Sequence, residues 1–168
     1  MKKMSQKNNK GFSLVELIVV VAIMAVLMGI LVPTLVKNVE KSKKQKDASA
    51  IEEIRSTMVT TLADPTYSDL EATITYYDDT NKKIVVNGGT TEGVTATPAS
   101  GSATTAADIT AFLTAVSADV DDWTFTSKAY KAKPSVTYVI KDQKVTVYRE
   151  AEGESAPGAA AGGATTTT

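Results

Sequence analysis

Neither cysteine nor histidine occurs among the 168 residues of the chain. Without cysteine, disulfides, thiolate metal sites and cysteine nucleophiles are excluded. Without histidine, serine–histidine triads and histidine-ligated zinc sites are excluded as well. Aromatic residues make up only 6% of the chain, and the head has few of them. Positive charge is not in excess either. Setting aside Lys2, Lys3, Lys7 and Lys10 leaves 14 basic against 19 acidic side chains, close to −5. A general nucleic-acid surface needs a clustered positive face, and this balance argues against one.

Polar side chains are absent from residues 17–32, sixteen in a row. The full apolar stretch, residues 12–36, has Glu16 as its one formal charge. As a helix it would measure roughly 37 Å against a hydrocarbon core of about 30 Å, long enough to span a bilayer. An ordinary secretory signal would place a small-x-small cleavage site after such a run. Here Val32, Pro33, Thr34, Leu35 and Val36 follow instead, and the small residue, Gly11, precedes the run after a basic stretch.

The sequence Lys10-Gly11-Phe12-Ser13-Leu14-Val15-Glu16-Leu17 resembles the class III signal of type IV prepilins and type II secretion pseudopilins. The resemblance covers about the first fifty residues, and the head is read from its own pattern. It implies cleavage by a prepilin peptidase between Gly11 and Phe12, with methylation of the new amine of Phe12, which keeps its positive charge. It also implies an inner-membrane assembly platform, filament partners of the same or other pilin chains, and a path from the cell membrane to the cell surface. Many related pilins close a C-terminal loop with a disulfide, and this chain departs from them. Only the resemblance places the first residues in the cytoplasm, because four lysines before the run face five after it and the positive-inside count does not decide.

Glu16 lies four residues after Phe12 and shares its helical face. A carboxylate at the bilayer centre costs about 2.5–3.5 kcal/mol and normally has a partner. Near a helix start the macrodipole lowers that cost. The resemblance supplies a partner, the terminal amine of a neighbouring subunit, so that Glu16 would set assembly register; the alternative is a glutamate snorkelling to the headgroups. Pro33 removes an amide and crowds the carbonyl of Gly29, so Gly29 and Pro33 together mark a helix hinge or a tolerated kink.

Residues 37–46 carry five lysines and one glutamate, either a solvated helix face or an attraction to anionic membrane lipid. Ala48, Ile51, Ile54, Met58 and Leu62 then recur at helical spacing. The expectation is one helix from the membrane to Leu62, ended by Ala63-Asp64-Pro65; a coiled-coil stalk has too few heptads. Five regions follow: residues 1–11 as a cleaved leader, 12–36 as the membrane or filament-core helix, 37–62 as its amphipathic continuation, 63–150 as a head, and 151–168 as a disordered tail. In the head, residues 73–77, 82–86, 135–140 and 145–149 read as strands, with a tight hairpin at 141–144. Residues 90–107 look like a long surface loop. A short helix begins at Asp108, as cap or first-turn acid, with Ile109, Phe112, Leu113 and Val116 on one face. The fold class is therefore α+β, a long N-terminal helix packed on a small antiparallel sheet, type IV pilin-like. A head this small needs the helix stripe in its core.

Other chemistry is thin. Asp119, Asp121 and Asp122 are the only calcium candidates, three side chains where six to eight oxygens are needed. Asp78 or Asp79 with one of them could form a paired-carboxylate hydrolase, but no cleft signature accompanies them. No other cofactor and no catalytic residue is indicated. The tail, rich in Ala, Gly and Thr, lacks the apolar content to offset its ordering entropy, and its threonines permit O-glycosylation. Two function classes remain: a filament subunit, either pilin or pseudopilin of a secretion or competence system, and a single-pass anchored binding domain that never polymerises.

Overall fold

The computed structural model describes residues 13–78, 80–86 and 94–156. The chain divides into two units, Met1–Val39 and Glu40–Thr168. Helix α1, Leu14–Leu62, contributes to both. In the first unit every described residue is exposed, and this part of α1 is apolar and long enough to cross a membrane.

The second unit is built on the amphipathic part of α1. Ala50, Ile51, Ile54, Met58 and Leu62 are buried, the spacing of one helical stripe. Over them lies a four-stranded antiparallel sheet, in the order β3-β1-β5-β6. Its strands are β1 Ala72–Tyr77, β3 Val94–Pro98, β5 Ser135–Lys141 and β6 Lys144–Arg149. A second, two-stranded sheet pairs β2 Lys83–Ile84 with β4 Trp123–Thr124. Helix α2, Ala106–Asp119, adds Ile109, Phe112, Leu113 and Val116 to the same core. A short helix, α3, spans Lys128–Ala132.

Central strand β5 is the best paired. Tyr138 stands opposite Ile74 on one side and Val147 on the other. Its ring meets Tyr76 edge-on at 5.8 Å, and its hydroxyl donates to the Ile51 carbonyl at 3.0 Å. One tyrosine thus joins strand to strand through its ring and sheet to helix through its hydroxyl. Two further aromatic pairs, Tyr67 with Phe112 and Phe125 with Tyr130, fill the ends of the core. The β5–β6 turn is a two-residue loop with Asp142 and Gln143 both at positive φ, 50° and 57°. That is the primed geometry whose twist matches a hairpin.

The structure departs from the sequence expectations in four places. Residues 82–86 form only a two-residue strand, and it pairs with β4 rather than with β1. Lys82 adopts φ 54° and breaks the extended run, while the Val86 amide donates to the Asp122 side chain at 3.0 Å. Part of the expected 90–107 loop is strand β3, on the edge beside β1. Its Thr and Ala residues resemble loop composition, yet β-branched threonine suits an edge, and Pro98 closes it where no partner needs its amide. Helix α2 starts two residues earlier, at Ala106, because Thr105 is the cap; Asp108 is the first-turn acid and accepts from the Thr105 amide at 2.8 Å. The fourth departure is the tail, whose first residues, 151–156, are ordered parts of the head. Glu152 accepts from the Tyr130 hydroxyl at 3.1 Å and meets Lys44 at 3.5 Å, and Ala156 is buried. Arg149 joins Glu52 of α1, Glu152 and Glu154 around the same point. The expectations for residues 157–168 lie outside the described residues.

Met58 has no exposed surface, whereas Val59 beside it is 40% exposed. Met58→Ala is therefore expected to lower the stability of the head by about 3 kcal/mol, and Val59→Ala by less than about 0.5 kcal/mol. Urea unfolding of the full chain in detergent, followed by circular dichroism, measures both.

Candidate functional site

Gly11 and Phe12 lie outside the described residues. The first intrahelical bond runs from the Leu17 amide to the Ser13 carbonyl, 3.2 Å, which puts Glu16 in the first turn of α1. There the helix dipole favours its charge. The carboxylate is exposed and has no ion pair among the described residues. Gly29 and Pro33 lie some four turns further along. The helix continues through Pro33, and Thr34 donates its hydroxyl to the Ile30 carbonyl at 3.3 Å. Among the described residues, a Cβ added at Gly29 would meet nothing within 4 Å.

The most heavily bonded carboxylate is Asp47, which the sequence reading did not single out. It is fully buried on α1. Its Oδ1 accepts from the Trp123 indole at 3.1 Å, the Thr126 amide at 3.0 Å and the Thr126 hydroxyl at 3.0 Å. Its Oδ2 accepts from the Ser127 amide at 2.8 Å. Burial pushes the Asp47 carboxyl up, but the donors of Ser127, Thr126 and Trp123 outweigh it and hold the group below its ordinary value. Two turns earlier on α1, Glu40 accepts the Lys128 amide, the first of α3. Seven residues apart, Glu40 and Asp47 share a face and together fix the chain from Trp123 to Lys128 against α1. A signal was available in the sequence: Asp47 falls in register with Ala50, Ile51, Ile54 and Met58, a polar residue on an apolar stripe.

The other candidates are used locally. Asp122 meets the Lys83 ammonium at 2.8 Å and accepts the Val86 amide, which anchors β2 beside β4. Asp119 and Asp121 line a surface cleft with Glu53, Ile54 and Trp123. Among the described residues no three acids come together in a group able to hold a metal ion. Asp78 closes a turn by accepting the Thr80 and Asn81 amides at 3.0 and 2.8 Å; Asp79 lies outside the described residues.

Comparison with known proteins bears on the N-terminal segment. A family model described as the prokaryotic N-terminal methylation motif matches residues 6–32. Type II secretion system core protein G of Dickeya chrysanthemi is 41% identical over 51 residues, 30% of this chain and 33% of that relative. The chain thus spans about a third of the length of the curated relative it matches. No solved structure matches. The N-terminus is of the prepilin type, joined to a type IV pilin-like α+β fold. Over this N-terminal segment the chain is similar to pilins and type II secretion pseudopilins.

Because Asp47 is held below its unfolded value of 3.8, its contribution to stability is complete above about pH 4 and fades as pH falls through the lower folded value. Asp47→Asn is expected to cost about 3 kcal/mol at neutral pH, since an amide cannot accept all these donors. It should also flatten the loss of stability on acidification below about pH 4. Unfolding curves of wild type and variant at several pH values check both expectations; an unchanged acid limb would contradict them.

Proposed function

We propose that the chain is a structural subunit of a filament, cleaved between Gly11 and Phe12 and assembled through the apolar part of α1. The observation that carries this reading is the first unit: an exposed apolar helix with Glu16 as the one charge in residues 13–36, in a chain whose head has its own core. In the membrane, lipid covers such a surface; in a filament, neighbouring helices do so, by burial of the same apolar area. Glu16 then pairs with the methylated amine of Phe12 of a neighbouring subunit and fixes the register. Prepilin peptidase and an inner-membrane assembly platform are the partners this route requires. The filament is a type IV pilus at the cell surface, serving adhesion, motility or DNA uptake. A second reading, pseudopilin of a type II secretion or competence system, is favoured by the name of the relative that is 41% identical. In either form the chain is structural and not an enzyme.

Glu16→Ala should leave membrane insertion and leader cleavage intact and reduce sheared filament at least about tenfold, with Glu16→Gln restoring little, because the amine needs a charge partner. Normal filament yield from Glu16→Ala would overturn the register role of Glu16. Deleting the gene separates the two filament readings: loss of surface fibres marks a pilin, loss of a secreted enzyme a pseudopilin.

A further inference from the structure

The contacts of Glu40 and Asp47 have a consequence for charge. They bring the start of α3, distant in sequence, onto the lysine-rich part of α1. Lys41, Lys43 and Lys44 lie within about one turn of Glu40, so Lys128 joins them, and Lys131 lies one helical turn further along α3. The acids nearby are already engaged. Glu40 accepts the Lys128 amide, Asp47 is buried among its donors, Glu152 meets Lys44 at 3.5 Å, and Glu150 meets Lys133 at 4.0 Å. Lys41, Lys43, Lys128 and Lys131 are exposed, and none has an ion pair among the described residues. Two elements of the fold therefore build one basic patch, only half of which shows as a run in the sequence.

We infer that this patch binds the phosphate headgroups of anionic lipid at the membrane face from which the head emerges. Chain connectivity supports the lipid over other anions. Lys41 is five residues beyond Val36, the last residue of the apolar run, and so lies within about 18 Å of it whatever path the chain takes. Glu40, which holds the Lys128 amide, is one residue nearer. An anionic surface attracts lysines within about a Debye length, and each adds roughly a fivefold preference. The inference rests on membrane anchoring alone and not on filament formation. It gives Glu40 and Asp47 of α1 a second role: they hold the start of α3 beside the lysine-rich part of α1.

The test uses the full chain reconstituted in vesicles of equal phosphatidylglycerol and phosphatidylcholine, then purified in a mild non-ionic detergent, with retained lipid measured by mass spectrometry. The wild type is expected to retain phosphatidylglycerol at least about threefold above its share in the vesicles. In Lys128→Gln/Lys131→Gln, and equally in Lys41→Gln/Lys43→Gln, the enrichment should fall to about half or less. Lys141→Gln/Lys144→Gln, at the β5–β6 turn, should retain the wild-type ratio. Circular dichroism of each variant checks that the exposed substitutions leave the fold intact. No enrichment in the wild type, or full enrichment in Lys128→Gln/Lys131→Gln, overturns the inference. If enrichment is absent but the lysine variants lose self-association, the patch meets the acidic surface of a second copy, and the lipid assignment is wrong.

Discussion

Burial of one helical stripe beneath the sheet is the constraint on which the head depends. Ile51, Ile54, Met58 and Leu62 are almost wholly buried and share a single core with both sheet and α2. At about 2 kcal/mol for each large apolar side chain, these residues contribute a substantial part of what so small a head can accumulate. Tyr138 and Asp47 then make the packing specific. One delivers a hydroxyl to a helix carbonyl; the other receives donors from the β4–α3 segment. Without α1 the sheet would lose one wall of its core, and the donors at residues 123–127 would lose their acceptor.

The same helix carries a second surface that no described residue of the chain covers. From Leu14 to Val39 every residue is exposed, and up to Val36 the only charge is Glu16. Large exposed apolar surface in a native chain marks a membrane or a partner. Lysines gathered at the start of the second unit and a carboxylate in the first turn of α1 place charge on either side of the apolar run.

Strong periodicity made part of this legible in the sequence. The end of α1 at Leu62, the four buried positions of α2 and the β5–β6 hairpin follow from spacing, a proline boundary and turn residues. What escaped depends on contacts between distant segments. Strand β3 has loop-like Thr and Ala composition and is fixed by pairing with β1. Helix α3 is five residues long, too short for a period, and is held by Ser127 and by carboxylates of α1. Residues 151–156 look like the rest of a low-complexity tail, yet Tyr130, Lys44 and Arg149 hold Glu152 in place. Asp47 was hidden because it closes a lysine run, where an acid reads as solvated. Its partners, Trp123, Thr126 and Ser127, are more than seventy residues away.

The central claim is that this N-terminus is processed for assembly, and the mass of the mature N-terminus tests it most directly. In protein isolated from its native cell envelope, the account predicts a chain that begins at Phe12 and carries one added methyl group. A chain that still begins at Met1, in a cell that contains the processing peptidase, would contradict it and make the apolar helix a permanent anchor.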